Sequence, residues 1–174
     1  DKQFKKAYKD GVTAENLGSA LAAFQRELVI DDTPFDRYLK GNKNAMSPEA
    51  VRGMNLFTGK AQCTTCHDGG NFTDGSYHNL GLGDKDIGRG KVDSNMAYRF
   101  RTPTLRNVAL TAPYMHDGSL ATLEDVLRFY NKGGNVPNRD IKKLGLSDLE
   151  IQDLIAFLGA LTQWIPFERP LVPN

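Results

Sequence analysis

The two cysteines of this 174-residue chain stand three positions apart, and a histidine follows at once: Cys63-Thr64-Thr65-Cys66-His67. Two thiols at that spacing followed by an imidazole form the attachment pattern of a c-type haem. Each sulfur closes a thioether to a vinyl group, and the histidine reaches the iron. Other uses of the pair meet obstacles. A structural zinc site usually takes four nitrogen or sulfur ligands, and no second cysteine pair or His-x3-5-His run exists to complete one. A thioredoxin-like dithiol wants a βαβ setting, and strand-like alternation is scarce here.

A chain of this length can bury the core of one domain. Its 22 basic and 21 acidic residues leave a formal net charge of +1, which suggests neither nucleic acid nor an anionic membrane surface as a partner. No apolar run approaches the ~20 residues of a membrane span. The sequence starts at Asp1 without a methionine, a charged leader or an apolar segment, so the expectation is a mature or trimmed product. Haem attachment of this kind takes place outside the bacterial cytoplasm, so a periplasmic location is expected, with a signal peptide that is absent from this chain.

Read in order, the sequence predicts helices with capped starts. Thr13 caps a helix to about Ile30, with Leu17, Leu21, Phe24 and Leu28 on one face, and Pro34 marks its exit. A short helical piece over Phe35–Lys40 stops at Gly41. Ser47-Pro48-Glu49 starts a helix carrying Val51, Met54 and Phe57. From Asp68 to Thr102, with seven glycines between Gly69 and Gly90, the pattern is that of a long loop, which a compact domain tolerates when there is something to wrap. A short helix is expected over Thr104–Val108 and a turn over Pro113–Gly118. Thr122 with Asp125, and Ser147 with Glu150, form capping boxes. They open helices whose inner faces are Leu123, Val126, Leu127 and Tyr130, and Ile151, Leu154, Ile155 and Leu158. The proline-rich tail after Trp164 is expected to lie over the surface. The expected fold is all-α: one cytochrome c-like helical domain over 1–174, wrapped around one covalent haem, with long glycine-rich loops.

With His67 on one side of the iron, the opposite axial position decides the chemistry. Methionine raises the potential and suits electron transfer, tyrosinate favours oxidised iron, and an open position admits small molecules. Met115 follows a proline-bearing loop, His116 lies in the same turn beside Asp117, and Tyr130 is on the inward face of its helix. Spacing alone leaves all three open.

The segments Ala23-Phe24-Gln25-Arg26-Glu27-Leu28, Phe35-Asp36-Arg37-Tyr38-Leu39-Lys40-Gly41, Arg52-Gly53-Met54-Asn55-Leu56-Phe57, the Cys63–His67 motif, Thr102-Pro103-Thr104-Leu105-Arg106-Asn107-Val108 and Ala112-Pro113-Tyr114-Met115-His116-Asp117-Gly118 occur in that order. Together they resemble the bacterial dihaem cytochrome c peroxidase and MauG family, specifically its C-terminal haem domain. Members of that family are typically twice as long and carry a second haem domain, which meets peroxide. In its peroxidases the distal methionine lies 14 residues after the histidine of the His-Asp-Gly turn. Here that count from His116 arrives at Tyr130, where MauG-like members ligate iron through tyrosine. The resemblance therefore favours Tyr130 over Met115 as distal ligand, with His116 and Asp117 in supporting positions. It also implies a Ca2+ site formed partly by the backbone carbonyls of Thr111 and Pro113, and an electron-relaying aromatic residue that belongs to the other half and is not Trp164.

The resemblance thus implies a periplasmic c-type haem oxidoreductase domain that stores and passes electrons in peroxide-dependent chemistry. Its partners would be an N-terminal haem domain or subunit and a redox protein. Alone, with both axial positions filled, it would be a poor peroxidase. A stand-alone His67/Met115 electron carrier is the alternative, and a sensor or peroxidase with an open distal face a third reading. Arg106 and Arg89 are candidate partners for haem propionates, because a guanidinium matches a carboxylate in a two-pronged fork.

Overall fold

A computed structural model describes residues 2–136 and 139–164, so the expected course of the tail after Trp164 lies outside the described residues. The chain separates into two compact units, Asp1–Asp31 and Asp32–Asn174.

The first unit holds α1 (Lys2–Ala7) and α2 (Ala14–Glu27). Phe4 and Tyr8 stack at 5.6 Å between ring centroids. Thr13 caps α2 as its spacing predicts, its side chain accepting from the Asn16 N–H. The face expected to be core is not buried. Leu17, Leu21, Phe24 and Leu28 are all exposed, and α2 contains no buried residue.

In the second unit, α3 (Pro34–Leu39) opens on Thr33, which closes a capping box with Asp36. Pro34 therefore begins a helix, because its missing N–H costs nothing at the first helical position, while α2 has already ended at Glu27, short of the expected Ile30. α4 (Pro48–Thr58) is capped by Ser47, α5 (Leu123–Lys132) by the Thr122–Asp125 box and α6 (Asp148–Gly159) by the Ser147–Glu150 box. Gly133 ends α5 at φ +83°, a conformation that favours glycine.

The core lies where α4 crosses α6. A Cβ on Gly53 would overlap the backbone carbonyl of Asp153, so only glycine lets the two helices approach this closely. Arg52 then reaches Asp153 through two hydrogen bonds of 2.9 and 2.8 Å. Phe57 and Phe157 meet edge to face at 5.1 Å, and Phe35 and Phe72 complete a four-ring cluster around them. Ile151, Leu154, Phe157 and Leu161 are at most 1% exposed.

Between these helices the long loop is held by short pieces rather than left free. β1 (Tyr77–His78) pairs antiparallel with β2 (Phe100–Arg101), Tyr77 opposite Arg101 and His78 opposite Phe100. The helix expected over Thr104–Val108 does not form. Asn107 takes a left-handed conformation, and a single 3-10 turn follows at Val108–Leu110, because the Asn107 side chain and backbone are committed to Gln163 and Leu161. The fold is otherwise the expected one, helical with a minimal sheet.

Candidate haem site

The attachment motif is delivered by α4. After Gly59 the chain turns through Gln62, at φ +52°, into a 3-10 turn over Cys63–Thr65. The Cys66 and His67 N–H groups both donate to the Cys63 carbonyl, at 3.2 and 2.8 Å. One tight turn therefore sets the two sulfurs a single turn apart with the imidazole directly after them. Both thiols are free. Burial pushes the Cys63 thiol up to about 12 and raises that of Cys66 as well. A redox-active dithiol shows the reverse, a depressed thiol pKa.

His67 is prepared as a ligand. Its Nδ1 lies 2.9 Å from the Phe72 carbonyl oxygen. A carbonyl only accepts, so Nδ1 carries the proton and Nε2 keeps its lone pair for a metal. Burial lowers the imidazole below its ordinary value, outweighing the hydrogen bond to Phe72, so the ring is neutral. Phe72 joins the site to the core, because it is 6% exposed and its ring belongs to the four-ring cluster. Phe35, Leu39, Met54 and Phe57 line an apolar groove that reaches the imidazole.

Tyr130 is half-buried on the last turn of α5. Burial, followed by Cys63 and Cys66, raises its phenol far above the ordinary value. Without a cation nearby it is therefore a neutral hydroxyl. A ferric centre would reverse that, since a bound metal ion is the largest local charge and favours the anion.

The other expected residues have surroundings of their own. Met115 is half-buried at φ +71° in its turn. His116 is exposed and stacks on Phe100 at 3.6 Å and 12°, and Asp117 accepts from the Ser119 N–H at 3.0 Å. Arg106 directs its fork to Asp36 at 2.9 and 3.0 Å, and its Nε donates to the Gly70 carbonyl. Arg89 is exposed, 5.2 Å over the Tyr77 ring. Thr111 and Pro113 are exposed, and among the described residues no hydrogen bond reaches their carbonyl oxygens.

Sequence reasoning missed a polar cluster beside Cys66. Asp74 donates its N–H to the Cys66 carbonyl at 2.8 Å and lies 2.7 Å from His78 Nε2. Asp140 faces the other ring nitrogen at 3.7 Å and receives Arg99 at 2.6 Å. Burial would raise the Asp74 carboxyl, but hydrogen bonds from His78, Ser76 and Thr102 hold it down at about 2. Asp74 and Asp140 come from distant loops, and no spacing rule pairs them.

The donor set fits a covalent haem: two free thiols on one turn and a neutral imidazole with its tautomer fixed directly after them. Together these define a c-type cytochrome site. Residues 1–44 match the family model described as di-haem cytochrome c peroxidase, and residues 50–162 match that of cytochrome c. The methylamine utilization protein MauG of Methylorubrum extorquens is 43% identical over 168 residues, covering 91% of this chain and 48% of that protein. The cytochrome c551 peroxidase of Nitrosomonas europaea is 35% identical, covering 98% of this chain and 52% of that one. Among solved structures, a MauG-like protein associated with microbial copper homeostasis superposes with a TM-score of 0.75 at 33% identity, covering 91% of this chain and 60% of that one. The chain belongs to the cytochrome c family, in its dihaem cytochrome c peroxidase and MauG branch. It spans about half the length of the curated relatives named here, and no helix among the described residues is long and apolar enough to cross a membrane.

Proposed function

We propose that this chain carries one haem c, joined to Cys63 and Cys66, with His67 and Tyr130 on opposite sides of the iron. On this reading it serves as the electron-holding part of a periplasmic, two-haem, peroxide-dependent oxidoreductase. When bound, the haem supplies a one-electron redox centre. What supports the ligand assignment is the Phe72-anchored imidazole of His67 for one side and, for the other, the place of Tyr130 on the last turn of α5, 14 residues beyond His116.

Each residue then has a task in holding that centre. Cys63 and Cys66 fix the group to the turn. His67 donates its Nδ1–H to the Phe72 carbonyl, which would leave Nε2 free to hold the iron. Tyr130 presents a hydroxyl that gives up its proton only to a strong local positive charge, which favours the oxidised state. Reducing one peroxide to two waters takes two electrons, and a single iron cycling between ferrous and ferric supplies one. A second haem domain is the natural partner, and the half-length coverage of MauG and the peroxidases agrees with that. Incomplete by itself, the Thr111 and Pro113 carbonyl pair would hold Ca2+ only with ligands from that partner.

With both axial positions filled, the isolated chain should turn over hydrogen peroxide poorly. The test is the ferric absorption spectrum of the wild type and of Tyr130→Phe. Charge-transfer features that disappear in the variant support the assignment, whereas the absorption signature of methionine sulfur on ferric haem iron, surviving in both, would assign Met115 instead.

A further inference from the structure

The two axial ligands proposed above come from distant parts of the chain, yet the loops that follow them are joined. Behind His67 the chain returns at once to its own attachment turn. The Thr73 N–H donates to the Asp68 carbonyl at 2.9 Å, and the Asp74 N–H to that of Cys66 at 2.8 Å. Behind Tyr130, the next residue is fixed on three sides. The Asn131 carbonyl accepts from the Leu144 N–H at 3.1 Å, and its side chain both donates to and accepts from the Leu146 backbone, at 2.9 and 2.7 Å. Asp140 lies inside the loop that these bonds close.

His78, in β1, stands between the two loops. Its Nε2 lies 2.7 Å from Asp74 and its Nδ1 faces Asp140 at 3.7 Å, so one imidazole spans a carboxylate from each. The backbone around it keeps the loops in register. The Asn79 N–H donates to the Asp140 carboxylate at 3.0 Å, the Asp140 N–H returns to the Asn79 carbonyl at 2.8 Å, and the Asn135 N–H reaches the Gly81 carbonyl at 2.8 Å. A Cβ on Gly134 would stand 2.7 Å from the Leu80 carbonyl oxygen, so the loop after α5 lies directly against residues 79–82. The His78 and Asp74 side chains are 22% and 21% exposed, which shelters their contact from the water that weakens a fully exposed pair. Groups standing behind a metal ligand hold it in place and are worth a large part of its affinity.

We propose that His78 is a positioning residue for the haem: by tying Asp74, behind the attachment turn, to Asp140, in the loop after α5, it keeps Tyr130 seated opposite His67. This rests on the Tyr130 ligation proposed above.

The test is the rate at which cyanide binds the ferric, haem-loaded chain, since cyanide enters only in the fraction of molecules whose distal ligand has left. His78→Ala should bind it ~10-fold faster than the wild type, and Tyr130→Phe at least as fast as His78→Ala. The double variant should be no faster than Tyr130→Phe alone, because the brace acts through Tyr130. Asp140→Asn, whose amide oxygen still accepts from Asn79, removes the charge that faces His78 and should also accelerate binding, so the reading does not hang on one variant. Lys91→Ala, which breaks the exposed pair with Asp86, should leave the rate within about twofold. If Tyr130→Phe is fast while His78→Ala and Asp140→Asn match the wild type, the brace is overturned and the ligation stands. If Tyr130→Phe is as slow as the wild type, the ligation falls and the brace with it. A double variant faster than Tyr130→Phe also overturns the brace, since His78 would then be holding the whole pocket rather than this ligand.

Discussion

Helices α2 and α6 read alike in the sequence, each capped and each with apolar residues at spacings of three and four, yet they end in opposite circumstances. α6 buries Ile151, Leu154, Phe157 and Leu158, while α2 buries nothing. Periodicity states that a face requires a partner; it does not state where the partner is. For α6 the partner is α4, brought close by Gly53 and held by the Arg52–Asp153 pair. The largest expected effect therefore lies there. Leu154→Ala, at a residue that is 0% exposed, should cost ~3–5 kcal/mol by removing packed methyl groups and leaving a cavity. Denaturant unfolding followed by circular dichroism would measure it, and a loss under ~1 kcal/mol would erase the contrast between the two helices.

The same unit carries the site, so a core change near it should register in both stability and spectrum. The Phe72 carbonyl holds His67, and its ring sits among Phe35, Phe57 and Phe157. Phe72→Ala should cost ~3 kcal/mol and broaden the ferric spectrum as His67 loses its fixed orientation. A destabilised protein with an unchanged spectrum would show that the anchor is independent of the ring.

How far the sequence spoke can be judged residue by residue. The Cys63–His67 turn was legible because all its geometry is local, a chain of i to i+3 and i to i+4 contacts. Thr122 with Asp125 and Ser147 with Glu150 were legible for the same reason. Thr33 with Asp36 carries the same signature but was hidden behind Pro34, which reads as an exit as well as a start. The Asp74–His78–Asp140–Arg99 cluster and the Phe72 anchor were not legible, since tertiary hydrogen bonds across loops assemble them. Arg106 shows how a residue in a family segment can have a protein partner that spacing does not reveal. Its charge demanded a carboxylate, and the chain supplies one in Asp36, 70 positions away.

That pair gives an intermediate effect with a pH signature. Both side chains are 12% exposed. The Arg106 hydrogen bond, aided by Thr33 and opposed by burial, holds the Asp36 carboxyl well below its ordinary value of 3.8. A carboxyl whose folded-state pKa is depressed stabilises fully above its unfolded value and loses that contribution as pH falls toward the folded one. Asp36→Asn should thus cost ~2 kcal/mol at pH 7, and the gap between variant and wild type should close as pH drops below 3.8. A gap independent of pH would mean that shape rather than charge is at work.

The smallest expected effect is the most telling for the comparison. Leu21→Ala in the 174-residue chain removes the same atoms from α2 that Leu154→Ala removes from α6, but Leu21 is 56% exposed and belongs to a helix with no buried residue. Little transfer energy is lost, no cavity can form, and alanine is the better helix former, so the net change should fall within ~0.5 kcal/mol of zero. Denaturant unfolding of the two variants side by side reads the difference directly. A loss at Leu21 approaching that at Leu154 would mean that Leu21 is packed in this chain as Leu154 is.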